Sequence, residues 1–291
     1  MIIVWRDPTR NLPETDPFDR QLTIGMGCFL ELLGIALGET GHRLETELFP
    51  EGDAGPVAVL RLLEGGVPDP LFAHVLDRRS CKEPFEDRPV PASLVERFAS
   101  LAEIHTEAAK VARIRALTWD AWLTEATTYR TMKESADLFR LGKAEINASP
   151  DGIDLGGPFL ETLIVLGMLT REGSLDPNST EFAQAKSIYE EMMLATPAYA
   201  SISTPANGRP EQISAGRQWL RLNLTTTGLG LALHPVSQAL QEYPEMAPHY
   251  RAVHELLAAP GHTVQMLGRL GFGPKVARTP RWSMDTRIRH G

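Results

Sequence analysis

Cysteine is scarce: the 291 residues hold two, Cys28 and Cys81, with no CxxC pair. A disulfide scaffold and a CxxC centre are thereby excluded, and both thiols read as inert. Basic excess is missing too, since 29 Lys plus Arg stand against 37 Asp plus Glu, a formal charge of −8. Such a chain has no general basic surface for nucleic acid, and an anionic membrane repels its average face. Neither is expected as a partner. The longest apolar run, around Phe159 to Leu169, is broken by Glu161 and Thr162. It falls short of the roughly 18–20 residues a bilayer needs, so no transmembrane helix is expected. The N-terminus, Met1 to Pro8, lacks a basic stretch followed by an apolar core and a cleavage site, which predicts a cytoplasmic chain. What is present, 43% hydrophobic and 23% charged residues, excludes whole-chain disorder and suffices for a large core or two lobes.

Common catalytic signatures are absent as well. The histidines, from His42 to His290, show no HxxxH or HExxH spacing, so no helix face presents two imidazoles to one zinc. No GxSxG elbow occurs, and neither GxxxxGK[ST] nor GxGxxG follows a strand; Gly228-Leu229-Gly230 falls in a predicted helix. Glu125, Glu134 and Asp137 lie on predicted helices among basic residues, which reads as a solvated, salt-bridged face.

The chain opens inside a strand, Ile2 to Trp5, and Asp16-Pro17-Phe18-Asp19 then starts a helix. Leu22, Met26, Phe29, Leu30, Leu33 and Leu37 mark its apolar face, and Gly38 and Gly41 end it. Strands follow at 44–49 and 57–63, joined by Pro50-Glu51-Gly52-Asp53, so residues 1–67 form a small α/β unit. A larger unit, 68–291, carries predicted helices near 69–77, 91–104, 106–127, 131–147 and 178–194 and a strand at 199–203. A long helix with Ile213, Leu220, Leu224, Thr227 and Leu231 on one face comes next, then a strand at 263–271 and a tail with Pro and Arg. Arg20-Gln21 opening a helix to Gly34-Ile35-Ala36-Leu37 is echoed by Arg217-Gln218 opening one to Gly230-Leu231-Ala232-Leu233. The echo has two readings, a common helix composition or the central helix of a repeated lobe.

The richest segment is Asp77-Arg78-Arg79-Ser80-Cys81-Lys82-Glu83-Pro84-Phe85, followed by Arg88-Pro89-Val90-Pro91. Guanidinium forks, a hydroxyl and an ammonium suit a phosphate monoester; the plainer reading is a basic helix end favoured by the helix dipole. Arg-Arg-Ser-x-Lys-x-x-Phe followed by Pro-Val-Pro resembles the phosphate-binding opening of FMN-dependent nitroreductases. Similar segments are Ala215-Gly216-Arg217-Gln218, Pro235-Val236-Ser237-Gln238, Gln265 to Gly273 and Pro280-Arg281. Asp16 to Gln21, Asp151 to Pro158 and His234 to Glu242 resemble the Acg-like branch, in which two such lobes are fused.

The resemblance implies an α+β fold: a three-layer α/β/α sandwich with a mixed, mainly antiparallel sheet, in which two fused lobes form a pseudo-dimer. Residues 1–67 would be an incomplete first lobe, and 68–291 the second, with the FMN phosphate site and, at Gly152 to Pro158, a lid, a segment that reads equally as a plain helix-connecting loop. By position, Arg78, Arg79 and Ser80 would hold the phosphate and ribityl end, and Lys82 would reach toward the ribityl chain or ring. Arg278 and Arg281 would close on the phosphate from the tail. Pro235, Val236, Ser237 and Gln238 would lie beside flavin N5. No protein group is expected to be catalytic itself, because the flavin carries the chemistry, and no metal is expected. The function implied is electron transfer from NAD(P)H through FMN to a nitroaromatic or quinone-like small molecule. The alternative is a flavin-sequestering protein without turnover. Members of the branch carry an upstream Asn-x-Gln-Pro-Trp-type motif that this sequence lacks. A shortened first lobe is therefore expected, from a misassigned start codon or a truncation, and its open sheet edge suggests a homodimer.

Overall fold

The computed structural model describes residues 1–288, apart from the side chains of Pro158 and Phe159; His290 lies outside the described residues. In chain order the elements are β1 (Ile2–Val4), α1 (Arg20–Gly38), β2 (His42–Leu48), β3 (Ala58–Glu64), α2 (Ala92–Val95), β4 (Glu103–His105), α3 (Ala108–Thr127) and α4 (Tyr129–Asp137). They continue with β5 (Phe139–Leu141), α5 (Gly142–Ala148), β6 (Ile153–Leu155), α6 (Pro158–Val165), α7 (Arg171–Leu175) and α8 (Thr180–Leu194). The last are β7 (Ala198–Thr204), α9 (Arg209–Gly228), β8 (Ala232–Pro235), α10 (Ala247–Leu257) and β9 (Thr263–Gly271).

The class is α+β with antiparallel sheets, as expected. β2 alternates half-buried His42, Leu44, Thr46 and Leu48 with exposed Arg43, Glu45 and Glu47, the pattern of a sheet with one wet face. β7 and β9 are buried almost throughout, because helices cover both faces of their sheet. On one face Ile114 and Ala121 of α3, Met193 of α8 and Val253 of α10 pack against Tyr199 and Leu267. On the other, Trp219 and Leu222 of α9 and Ile24 of α1 pack against Ala200, Ile202 and Leu270. This gives three layers around the four-stranded sheet. The sheet is not single, however: a three-stranded sheet of order β1-β3-β2, a four-stranded one of order β4-β7-β9-β8 and a parallel pair β5-β6 are separate.

The two larger sheets share a plan. β1, α1, β2 and β3 follow one another with strand order β1-β3-β2, and β7, α9, β8 and β9 follow with β7-β9-β8. The helices of these units meet reciprocally. A Cβ on Gly27 would lie 2.2 Å from the Ile213 carbonyl oxygen, and one on Gly216 would lie 1.9 Å from that of Ile24. Both helices thus present Ile-x-x-Gly at the crossing, and each contact is matched by its exchange, as across a two-fold axis. The register differs from the echo in the sequence: Gly27 stands opposite Gly216, and the helices begin at Arg20 and Arg209. The motif that pairs is one that lets backbones touch, not the more conspicuous Gly-aliphatic-Ala-Leu.

Other expectations need correction. Phe29, placed on the apolar face of α1, is 48% exposed, because the face buried against α9 runs through Ile24, Gly27 and Leu30. By length and composition α1 could cross a membrane. The search for one unbroken apolar run overlooked it; here a third of it is buried, and it packs against α9. The 69–77 helix reduces to a short 3-10 turn at Pro70–His74. The 91–104 helix stops at Phe98, and Glu103–His105 pairs instead as a strand with Tyr199–Ser201. The 131–147 helix breaks at β5, where Gly142 takes a φ of 73° that only glycine adopts freely. β8 and α10 were not foreseen, and α9 ends at Gly228, so Leu229 and Gly230 lie beyond it.

Candidate functional site

Ser80 forms a parallel bridge to Leu233, and the Cys81 amide donates to the Leu233 carbonyl oxygen at 3.2 Å. The basic segment therefore runs along the free side of β8, immediately before Pro235. Arg78 and Arg79 are half-buried and Ser80 is exposed. Burial lowers the affinity of the Arg78 guanidinium for its proton, and the charges of Arg281 and Arg79 lower it further. The charge of Arg281, in the tail, thus reaches Arg78. Arg79 donates to the carbonyl oxygens of Leu76 at 2.8 Å and Arg78 at 2.6 Å, while its buried Nε has no partner. Arg281 bonds within its own loop, to the Pro280 carbonyl oxygen at 2.8 Å. Among the described residues no carboxylate pairs with Arg78, Arg79 or Arg281. Guanidiniums that act on one another without a paired carboxylate suit an anion. Arg278 is exposed and is not among the charges acting on Arg78.

Lys82 is exposed as a residue, yet burial around its ammonium lowers its pKa, and Asp154 of β6 acts in the opposite sense. Asp154, in the segment foreseen as a lid, therefore lies near Lys82. It is pinned by Asp151, which accepts from Ser149 at 2.7 Å, Arg140 at 3.1 Å and Arg10 at 2.8 Å. Beneath lies a wholly buried cation: Arg269 donates to Thr196 Oγ1 at 2.7 Å, the Glu83 carbonyl oxygen at 3.1 Å and His234 Nδ1 at 3.2 Å, and stacks on Phe85. Burial, then the charges of Arg269 and Lys82, push His234 down to about 3, so its imidazole is neutral and accepts at Nδ1.

Pro235 to Gln238 forms the corner after β8. The Val236 amide holds it to the Leu267 carbonyl oxygen at 2.9 Å, and Ser237 Oγ bonds Gln21 Oε1 at 3.1 Å. This corner is therefore where the start of α1, from the first unit, touches the second. Arg20, wholly buried, fixes the same junction through Glu242, the Leu240 carbonyl oxygen and Gln265. Sequence reasoning missed Glu125, which accepts from Gln241 at 3.2 Å, from Ser135 at 3.3 Å and from Gln238. It is half-buried, and burial of its carboxyl pushes it up to about 7. Its spacing from Ile114, Thr118 and Ala121 places it on the buried stripe of α3, a signal the sequence did carry.

Two other features compete for attention. Ser201 Oγ and His105 Nε2 are 2.8 Å apart, and Glu103 lies 3.3 Å from Nδ1. Ser201 and His105 are 2% and 3% exposed within the β4–β7 pair, so no substrate reaches this hydrolase-like line. A cavity of about 610 Å³ beside Phe85, Glu86, Arg115 and Glu190, and another of about 220 Å³ beside Glu31, His42 and Arg217, include none of the predicted site residues.

No family model matches this chain, and no curated protein matches it. Solved structures do. An FMN-dependent nitroreductase from Mycobacterium smegmatis, in complex with NADPH, aligns at a TM-score of 0.46 and 17% identity over 76% of this chain and 98% of that one. A nitroreductase with bound FMN from Desulfitobacterium hafniense gives 0.42 and 11%, over 77% and 98%. A nitroreductase-like protein from Bacillus cereus gives 0.39 and 12%, over 76% and 96%. The chain is thus similar to nitroreductase-like FMN flavoproteins over about three quarters of its length.

Proposed function

We propose that this chain is an FMN-dependent oxidoreductase of the nitroreductase type, passing electrons from NAD(P)H to a small nitroaromatic or quinone-like acceptor. The observation that carries the reading is that the charges of Arg281 and Arg79 act on Arg78 while, among the described residues, no carboxylate pairs with any of the three. A phosphate monoester suits that donor set, and the orphaned Arg79 Nε is a donor it would satisfy. Arg78, Arg79, Ser80 and Arg281 would hold the phosphate end, with Arg278 nearby in sequence. Lys82 would face the ribityl chain or ring, and Pro235, Val236, Ser237 and Gln238 would line the ring end. When bound, FMN supplies the two-electron chemistry; the chain's residues orient it and set its electrostatics. The buried charge of Arg269 and the ammonium of Lys82 favour negative charge near this end. The shared strand order and the reciprocal contact at Gly27 and Gly216 support two fused lobes, 1–67 and 68–291, arranged as a pseudo-dimer.

A second reading, flavin sequestration without turnover, is favoured by Asp154 standing near Lys82, which brings the β6 segment toward the cradle. The test is to add FMN to the full chain, desalt and record the visible spectrum, then to measure NAD(P)H consumption with nitro and quinone acceptors. A retained flavin spectrum with turnover is expected, and retention without turnover selects sequestration. Arg78→Ala with Arg281→Ala is expected to lose the flavin; unchanged flavin content would remove the site assignment.

A further inference from the structure

The match between α1 and α9 extends beyond the crossing. Ile24 and Gly27 have their counterparts, Ile213 and Gly216, 189 positions on. Continued along both helices, the same spacing matches Cys28 with Arg217 and Ile35 with Leu224. Ile35 and Leu224 lie in one buried cluster, as a pair beside a two-fold axis does. The connection between the two units crosses this cluster, with Leu71 and Val75 packed on it. A single segment lying across a two-fold axis cannot serve both sides alike. At its far end the charge of Arg78 acts on Cys28, beside the cradle of the second unit. At its near end Asp69 lies 2.9 Å from Arg221. Here, on the first unit's side, is the cavity of about 220 Å³, lined by His42 and Thr46 of β2, Asp69, and Arg217 and Arg221 of α9. Glu31 lies 2.8 Å from Arg221 and 3.8 Å from Arg217. Two arginines thus meet on this side as well, but each has a carboxylate.

We propose that this cavity is the first unit's counterpart of the arginine cradle, a latent site for a small phosphate-class oxyanion that Glu31 and Asp69 keep closed as built-in counter-ions. Guanidinium forks bind carboxylate and phosphate oxygens by the same geometry, so an internal carboxylate can take the place of the ligand. Glu31 and Asp69 offset the charge of Arg217 and Arg221, and an incoming dianion would have to displace them. About 220 Å³ is less than the roughly 300–1,000 Å³ of pockets that take a drug-sized ligand. The ligand class is therefore inorganic phosphate or a similar oxyanion, and not a whole nucleotide. The asymmetry between the units follows from the connection, which carries an acid at one end and Arg78-Arg79 at the other. That the second unit's cradle holds a flavin phosphate rests on the function proposed above; the closure of the first does not.

The test reads binding of inorganic phosphate to the full chain by 31P line broadening. Arg78→Ala with Arg281→Ala serves as the background, so that the second unit's cradle is silent. This background is expected to bind no phosphate. Adding Glu31→Gln with Asp69→Asn frees Arg217 and Arg221, and uptake of one phosphate per chain is expected, lost again when Arg217→Ala is added. If that variant does not fold, Glu31→Gln alone keeps the Asp69 ion pair and is expected to show a weaker gain that Arg217→Ala also removes. A background chain that already binds phosphate through Arg217 overturns the closure, and variants that gain no phosphate overturn the site. FMN retention by the parent chain is read separately. A parent without flavin, beside a variant that gains phosphate, sinks the flavin reading and leaves this proposal standing; a parent that retains flavin, beside variants that gain nothing, does the reverse.

Discussion

Gly216→Ala is the sharpest probe of how the two units are joined. An ideal Cβ at this position lies 1.9 Å from the Ile24 carbonyl oxygen and 2.9 Å from Gly27 Cα, against 3.4 Å or more in ordinary contact. The obstacle is backbone, so no side chain can swing aside, and α1 and α9 must part by about 1.5 Å. Ile24 and Ile213, each buried in the other unit's core, then lose their packing. Alanine gains about 1 kcal/mol of helix propensity over glycine. Overpacking against rigid atoms costs about 1–3 kcal/mol or more, and parting two core helices lies at the upper end. A net loss of about 2 kcal/mol is therefore expected. Gly25 and Gly34 in α1 have nothing within 4 Å of an added Cβ. The same substitution there is expected to stabilise by about 0.5–1 kcal/mol. Urea unfolding of the variants, at constant m-value, reads both signs. Gly27→Ala added to Gly216→Ala is expected to cost less than the sum, since both part the same helices. A Gly216→Ala protein as stable as Gly25→Ala would refute the reciprocal contact.

Acid should destabilise the fold through its buried imidazoles. Burial depresses His105 to about 4 and His234 to about 3 from 6.5, so the unfolded chain binds more protons in this window. Their stabilisation is complete above about pH 6.5 and is lost as pH falls toward these values, which urea midpoints between pH 7.5 and 4.5 will show. Glu125 acts in the opposite sense: its raised pKa makes stability fall as pH rises from 4.5 to about 7. Glu125→Gln is thus expected to gain relative to the parent at pH 8 by up to about 3 kcal/mol, with little gain at pH 4.5; equal effects at both would contradict the assignment. Arg20→Ala strands Glu242 and several buried acceptors, and a loss of about 3–5 kcal/mol is expected in chemical denaturation. Asp151→Ala removes the shared acceptor of Arg10, Arg140 and Ser149, so limited proteolysis should cut faster between 149 and 157 while the core helices stay protected.

The sequence by itself determined the elements whose signals are local. α1, α3, α8 and α9 and the strands β1, β2, β3, β7 and β9 stood in the periodicity and in the turn residues around them, because helix and pleat are written at short range. The basic segment and the tail arginine were also legible as chemistry, since residue type alone sets what a guanidinium can hold. Tertiary structure decided the rest. β4 exists because β7 offers a buried edge, and β8, too short to show a period, determines where Ser80 and Pro235 lie. The register in which α1 meets α9 was set by the closest approach of two backbones at Gly27 and Gly216, and not by the stronger similarity of letters. Arg78 and Arg281 lie far apart in the chain, and only the return of the chain past β9 brings their charges together. Glu125 reads as a surface charge until the neighbours from α4 and the β8 corner close over it. Sequence fixes what each residue can do within one turn or one strand; long-range packing decides which of them share a dielectric, and so which can act together.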